Sequence, residues 1–197
     1  MTPLNTQTSA PKDATPKAQL NSTKDFLSDI ETLRARARKE IMDGAVTRDY
    51  GIEPALAVKV LNEALATEFI CVLRYRRHYF VAKGMNSEPI AKEFLAHSNE
   101  ELGHADRLAQ RIVQLGGEPN LDPSTMASRS HAEYVVPPGL QDMIRENLIA
   151  ERIAIESYRE MINFFGDRDP TTRSLLESIL AVEEEHADEL ADLLVDS

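Results

Sequence analysis

Residues 182–194 read VEEEHADELADLL and have the pattern of an amphipathic helix, in which Leu190 continues an apolar stripe. Glu183 and His186 lie on the same stripe, one helical turn apart. A carboxylate and an imidazole therefore occupy positions where the core of a helical protein usually has leucine. Burying such groups without partners costs several kcal/mol, so their partners must come from elsewhere in the chain.

A second copy of the pattern, EELGHADRLAQRI, spans residues 100–112. Superposing the two HAD triplets places Glu101 on Glu183 and His104 on His186. A single Glu-x-x-His motif in a chain that is 28% charged indicates only a solvated helix face. Two copies in register, each on an apolar stripe, indicate a metal site instead.

Another pair of segments is repeated as well. EALATE ends at Glu68, ENLIAE ends at Glu151, and seven residues after each glutamate comes a tyrosine, Tyr75 or Tyr158. The chain is therefore interpreted as a duplicated helix pair. Tyr75, two turns from Glu68, is a candidate for a hydrogen bond or an electron donor near the site, with a packed core tyrosine as the alternative.

Glycine and proline divide the second part of the chain into four long helical segments. The predicted helices run from about Pro54 to Gly84, from Ser87 to Gly116, from the 137–139 cluster to Gly166, and from the cap Asp169 onward. The connection at 117–138 is long enough to cross a bundle whose helices span ~40 Å. The prediction is an all-α four-helix bundle over residues 51–197, with a long crossover between its second and third helices.

The N-terminal part has a different composition. Residues 1–22 are rich in Thr, Pro, Asn and Ser and are predicted to be a disordered polar tail. Residues 23–50 are predicted to form a helical arm that begins at the caps Ser22 and Thr23 and ends at Gly44.

All four repeated glutamates fall near the middle of their helices, so side-by-side packing brings them to one level of the bundle. Two divalent cations would balance four carboxylates, and no Lys or Arg repeats at matching core positions to do so. The predicted metal ligands, which are also the predicted catalytic residues, are Glu68, Glu101, His104, Glu151, Glu183 and His186.

Composition excludes several classes of protein. The formal net charge of −11 disfavours DNA binding by the folded body, although Lys12, Lys17 and Lys24 leave a weak DNA-touching arm as an alternative. A single cysteine, Cys71, is interpreted as a core residue, because a rubredoxin-type iron site needs four thiolates. The sequence predicts no membrane span and no secretory signal, and hence a cytoplasmic protein.

LNEALATE, EELGHADRLAQRIVQLGGEPNL and VEEEHADEL resemble the ferritin-like superfamily and, within it, the bacterioferritins. Bundles of this superfamily carry a set of carboxylates and histidines that the two motifs match. The resemblance implies that Glu68 and His104 are terminal ligands of one iron and Glu151 and His186 of the other. Glu101 and Glu183 would then bridge the two ions.

Two departures from bacterioferritins matter. Leu102 occupies the position at which haem-binding members have methionine, so no haem is expected. The sequence has no fifth helix after the fourth, which, like the extra N-terminal residues, is more similar to Dps-type mini-ferritins. The expectation is a homo-oligomeric cage, with a 12-mer favoured over a 24-mer, although Dps proteins usually build their iron site between subunits.

The resemblance implies iron storage and detoxification, with two Fe per subunit and O2 or H2O2 as the oxidant of Fe(II). Mn and Zn remain alternatives as metals, since carboxylates and imidazole also suit them. The alternative functions are a rubrerythrin-like di-iron or di-manganese peroxidase or catalase, and a DNA-protecting Dps-type protein. His97, one turn before Glu101, is interpreted as a packing residue, with a supporting role at the site as the alternative.

Overall fold

The computed structural model describes residues 29–84 and 87–195, and every regular element in these ranges is helical. In chain order the α-helices are α1 (Ile30–Lys39), α2 (Pro54–Val81), α3 (Ser87–Gln114), α4 (Pro123–Arg129), α5 (Leu140–Phe165) and α6 (Pro170–Val195). The chain divides into two compact units, Met1–Met42 and Asp43–Ser197. No helix in the described ranges is both long enough and apolar enough to cross a membrane.

The first unit contains α1. Its N-cap is Asp29, whose carboxylate accepts a hydrogen bond from the Thr32 amide at 3.0 Å. The last turn carries Arg36, Arg38 and Lys39, which complement the negative end of the helix dipole. The predicted polar tail and the predicted caps at residues 22 and 23 lie outside the described residues. The helix ends five residues before the predicted stop at Gly44.

The four long helices of the second unit form the predicted bundle. Glu53 caps α2 by accepting hydrogen bonds from two backbone amides, and Pro54 is the first helical residue. Each helix begins or ends within about three residues of its predicted bound. α2 packs along α3, α5 packs along α6, and further contacts join α2 to α5 and α3 to α6. The prediction of an all-helical bundle is confirmed.

The crossover between α3 and α5 contains a helix that the sequence analysis did not predict. α4 is capped by Asp122, which accepts a hydrogen bond from the Ser124 amide at 2.9 Å, and Pro123 is its first residue. Met126 packs against Ala66 and the neighbouring part of α2. The Asp-Pro pair is an ordinary helix-start signal, so the sequence did contain a local indication of α4.

Two apolar clusters fill the interior of the second unit, one on either side of a polar layer. The first is built around Leu61, Leu65, Leu108, Ile112, Leu176 and Ile179. The second is built around Cys71, Tyr75, Phe94, Ile144 and Leu190. Along each long helix, the repeated glutamate lies between a residue of one cluster and a residue of the other. The clusters thus fix the height at which the four carboxylates meet, and Cys71 is a core residue as predicted.

A buried ion pair ties the start of α6 to α3. Asp169 caps α6 through the Thr172 amide at 2.9 Å, and both its oxygens lie 3.0 Å from Arg111 Nη2. Tyr50 donates a further hydrogen bond to it at 2.6 Å. Although burial opposes ionisation, these partners hold the pKa of Asp169 below its usual value.

Replacing Asp169 by alanine is expected to lower the free energy of unfolding by about 3–5 kcal/mol, because it leaves Arg111 buried without a counter-charge. The matched control is Asp167→Ala, two residues away, which removes an exposed ion pair with Arg173 and should cost about 1 kcal/mol or less. Urea unfolding of the metal-free variants measures both. Equal losses in the two variants would contradict the assigned role of Asp169.

Candidate metal centre

The structure brings all six predicted ligand residues into the polar layer between the two apolar clusters. They come from four helices and are all buried: Glu68 from α2, Glu101 and His104 from α3, Glu151 from α5, and Glu183 and His186 from α6. His104, at 4% exposure, is the most accessible of them. Four carboxylates and two imidazoles thus share one interior space.

Within this space the ligand atoms form two groups, and in each group they lie within 4.8 Å of one another. The first group is Glu68, Glu101, His104 and Glu183. The second is Glu101, Glu151, Glu183 and His186. Glu101 and Glu183 belong to both groups, whereas each group has its own histidine and its own third glutamate. The two groups could hold two adjacent cations that share two carboxylates.

The histidines approach the carboxylates through their Nδ1 atoms. His104 Nδ1 lies 2.9 Å from a Glu183 oxygen and 3.4 Å from oxygens of Glu68 and Glu101. His186 Nδ1 lies 3.5 Å from Glu101, while its Nε2 lies 2.7 Å from Glu100 on the outer side. The Glu100 carboxylate at Nε2 orients the His186 ring and leaves its Nδ1 directed into the centre, as is typical of metal-ligating histidines.

Six buried atoms of this centre make no hydrogen bond of acceptable geometry within the described part of the chain, although His104 Nδ1 and Glu183 Oε1 lie only 2.9 Å apart. They are one oxygen from each of the four glutamates and Nδ1 from each of the two histidines: Glu68 Oε2, Glu101 Oε1, Glu151 Oε2, Glu183 Oε1, His104 Nδ1 and His186 Nδ1. Buried polar atoms in native proteins are almost always satisfied. Nitrogen and oxygen donors that converge in this way, without hydrogen bonds that satisfy them, fit a pair of divalent cations.

Each of the two repeated tyrosines donates a hydrogen bond to the glutamate of the other repeat. Tyr75 of α2 donates a hydrogen bond to Glu151 of α5, and Tyr158 of α5 donates one to Glu68 of α2. The spacing of seven residues placed each tyrosine on the same helix as a glutamate, but the actual partner is the glutamate of the other repeat. Each phenol holds one carboxylate oxygen, so the second oxygen of Glu68 and of Glu151 is directed to the centre.

Without cations, the carboxylates of the centre do not ionise independently. Burial and the negative charge of Glu101 raise the pKa of Glu68 to about 8. The same two causes raise the pKa of Glu151 and hold that of Glu183 well above its usual range. Burial also disfavours the ionised form of Glu101, but the close approach of His104 and His186 outweighs it and lowers that pKa.

Both histidines of the centre hold protons more tightly than usual. Burial lowers the pKa of each imidazole, but the surrounding carboxylates outweigh this effect. The carboxylates of Glu101 and Glu68 raise the pKa of His104 to about 10. Glu101, together with the charge of Glu151, raises that of His186 to about 9. In the metal-free protein, protons therefore supply the positive charge that cations would supply, and cation binding must release them.

A cavity of about 380 Å³ leads from the surface to this centre. The buried rings of His104, His186 and His97 line it, together with the partly exposed carboxylates of Glu93 and Glu189. The sequence analysis favoured a packing role for His97. The structure places this buried ring in a parallel stack with His186, with 3.9 Å between the ring centroids. Because Glu189 comes from another helix, the spacing along α3 alone could not reveal this cluster.

Arg74 is a buried cation near the centre whose burial the sequence analysis did not predict. It is 1% exposed, and it donates hydrogen bonds to Asn147 at 3.2 Å and to the Glu133 carbonyl at 2.9 Å. Asn147 in turn contacts His78 Nδ1 at 3.1 Å. Arg74 is thus engaged with the crossover and α5, and its hydrogen bonds do not go to the four glutamates.

A family model described as the ferritin-like domain matches residues 58–197. The chain belongs to the ferritin-like family. Its matched region contains α2, nearly from its start, and all of the helices that follow, and hence all six residues of the candidate centre.

Among curated relatives, this ferritin-like chain is similar to the bacterioferritin of Rhodobacter capsulatus, at 29% identity over 68% of this chain and 80% of the relative. It is also similar to a DNA protection during starvation protein from Pyrococcus furiosus, at 32% identity over 73% of this chain and 80% of the relative. Both branches that the sequence analysis named, bacterioferritins and Dps proteins, are therefore confirmed as homologues.

Two solved structures share the fold. One is a dodecameric thioferritin, the bacterioferritin-related protein from Bacteroides fragilis, with a TM-score of 0.71 and 33% identity, covering 74% of this chain and 88% of that one. The other is Dps from Thermosynechococcus elongatus, with a TM-score of 0.69 and 18% identity, covering 71% and 90%. At that lower identity, the second likeness concerns the fold alone.

Proposed function

We propose that this chain oxidises Fe(II) at a dinuclear centre within each subunit and takes part in iron storage and detoxification. The observation that carries the proposal is the convergence of six buried donor atoms, none satisfied by a hydrogen bond of acceptable geometry, in two groups that share Glu101 and Glu183. Two divalent cations supply the charge of +4 that balances four carboxylates. Iron is favoured because oxygen donors with one imidazole per metal suit Fe(II), with Mn and Zn as the alternatives.

In this proposal the two groups of residues have matching roles. Glu68 and His104 would hold one Fe(II), and Glu151 and His186 would hold the other, with Glu101 and Glu183 available to both. Tyr75 and Tyr158 keep Glu151 and Glu68 in position. No haem is proposed, because the Leu102 side chain has no lone pair to donate to iron.

The electron balance requires two Fe(II) for each two-electron oxidant. Together the two ions supply two electrons, which with two protons reduce O2 to H2O2 or reduce H2O2 to two waters. The chain's own contribution is to bind both ions side by side, to fix the height of the four carboxylates between the two apolar clusters, and to keep the phenols of Tyr75 and Tyr158 within hydrogen-bond reach of Glu151 and Glu68.

Storage requires an enclosed volume that one bundle does not have, so the proposal includes a homo-oligomeric cage. The dodecameric Bacteroides fragilis protein, at 33% identity, favours twelve subunits over twenty-four. Twelve copies of a 22.0 kDa chain weigh about 264 kDa, which light scattering after size exclusion measures directly. After loading with Fe(II) in air, iron should elute with this species. A stable dimer without retained iron would contradict storage and favour a peroxidase or catalase.

DNA protection is the second candidate, and the name of the Pyrococcus furiosus relative is the observation that favours it. The formal net charge of −11 opposes it, because phosphate contacts need clustered Lys and Arg. A gel shift at low ionic strength separates the two functions. Retained iron without a shift supports storage, whereas a shift abolished by modest salt supports DNA binding.

A further inference from the structure

A second cluster of possible ligands lies outside the dinuclear centre. Glu93 and His97 are one turn apart on α3, and Glu189 approaches them from α6. His97 Nε2 lies 2.9 Å from a Glu189 oxygen and 3.4 Å from a Glu93 oxygen. One donor atom from each residue lies within 4.8 Å of the other two. His97 is 1% exposed, whereas both carboxylates are partly open to solvent.

The second ring nitrogen of His97 fixes the orientation of the ring. Tyr75 donates its hydroxyl proton to Glu151, so its oxygen is left to accept in the 3.2 Å contact with His97 Nδ1. This contact directs Nε2 towards two carboxylate oxygens that come from different helices. A divalent cation can be shared by all three of these atoms, whereas a proton on Nε2 would serve only one carboxylate well.

We propose that Glu93, His97 and Glu189 bind a third divalent cation at the mouth of the cavity, where Fe(II) is held before it enters the dinuclear centre. One nitrogen and two carboxylate donors suit first-row divalent metals such as Fe(II), Co(II) and Zn(II). The loading role rests on the proposed oxidation of Fe(II), whereas the binding of a cation by these three residues does not.

A further group of possible ligands connects the third site to the dinuclear centre. His97, Glu151 and His186 form a further group whose donor atoms lie within 4.8 Å of one another. This group shares His97 with the outer site and the other two residues with the dinuclear centre. A cation can therefore exchange its ligands one at a time along the cavity. Glu100 and Glu185 also line the cavity and add negative charge that attracts cations.

The duplication of the chain does not extend to the third site. Superposing the two HAD triplets places Leu175 opposite Glu93, Ile179 opposite His97, and Arg107 opposite Glu189. The equivalent positions thus offer two aliphatic side chains and a cation. The outer site is therefore a property of one half only, and it cannot be explained as a by-product of the repeated ligand set.

The test uses Co(II), which is redox-stable, titrated calorimetrically into the full-length metal-free protein. Wild type should bind three Co(II) per subunit, and the double variant Glu93→Gln/Glu189→Gln should bind two. Both substituted side chains are partly exposed, so the bundle should remain folded. Glu185→Gln is the matched control, because Glu185 lines the same cavity outside the cluster, and it should still bind three. In wild-type crystals, anomalous diffraction should place one Co(II) at ~2.1 Å from His97 Nε2.

The rate of Fe(II) oxidation tests the loading role. At limiting Fe(II), the double variant should react about tenfold more slowly than wild type, at the lower end of what charged clefts contribute to capture. At saturating Fe(II) the two rates should agree. Two Co(II) per subunit in wild type would overturn the third site even if Fe(II) oxidation were normal. Three Co(II) without any Fe(II) oxidation would instead refute the proposed function and leave the site intact.

Discussion

Replacing Glu101 or His186 by alanine is expected to lower the initial rate of Fe(II) oxidation by roughly a hundredfold or more. Even residues that only orient a metal ligand typically cost 10–100-fold in affinity or activity when they are changed. Glu101 belongs to both groups of donor atoms, so its loss opens both cation sites. His186 belongs to the second group and to the group that it forms with His97 and Glu151. Its loss therefore prevents the binding of two ions side by side but leaves the first group, with Glu68 and His104, complete.

The fold should survive both changes, because the two apolar clusters on either side of the centre are untouched. Glu184→Ala is the matched control. It changes the neighbour of Glu183 on the same helix, but it removes only an exposed ion pair with Arg159. Stopped-flow absorbance of ferric product after mixing with O2 or H2O2 measures all three variants. Wild-type rates in Glu101→Ala and His186→Ala would place the chemistry elsewhere in the protein.

The melting temperature of the metal-free protein is expected to fall as the pH rises from 6 to 9. The pKa of Glu68 is raised to about 8 in the folded chain, and those of His104 and His186 to about 10 and 9. For a group with a raised pKa, the folded state binds more protons, so its contribution is complete below the unfolded value and is lost as the pH rises through the folded value. Glu101, with its lowered pKa, is ionised in both states throughout this window and adds no slope.

Bound cations should remove this pH dependence, because they replace the protons that the centre otherwise holds. Zn(II) serves as the redox-silent probe. At a hundred times its Kd, one bound ion adds about 2.7 kcal/mol, which for a chain of this size corresponds to roughly 5–10 °C. Thermal unfolding at pH 6 and pH 9, with and without Zn(II), gives the comparison. A metal-free protein that becomes more stable towards pH 9 would contradict the raised pKa values of the centre, and a protein that Zn(II) does not stabilise would contradict cation binding there.

The helices of the bundle could be predicted because their ends carry strong local signals. Pro54 after Glu53, and Pro170 after Asp169, combine a capping carboxylate with a first-turn proline, and the resulting bounds agree with the structure. The same signal is present at Asp122 in the crossover, although the sequence prediction did not include α4. Local signals therefore mark the starts of these three helices, although the prediction used only two of them.

Contacts between helices were harder to predict from the sequence. The repeat predicted that Glu68 and Tyr75 lie on one helix. It did not predict the hydrogen bond that Tyr75 donates to Glu151, because this bond depends on how α2 packs against α5. Similarly, His97 has no carboxylate at the repeated spacing, and its partner Glu189 lies 92 residues away. A duplicated pattern shows which residues occupy equivalent positions, whereas a cluster found in only one half requires the packed structure.

The most direct test of the dinuclear centre is the magnetic state of iron after oxidation. Metal-free protein is loaded anaerobically with two Fe(II) per subunit, H2O2 is added, and the sample is frozen for EPR and Mössbauer spectroscopy. The proposed centre predicts ferric ions that are coupled in pairs, so that the EPR signal of isolated high-spin Fe(III) is nearly absent in wild type and appears in Glu101→Ala. A wild-type sample dominated by isolated Fe(III) would contradict a shared site built by Glu101 and Glu183.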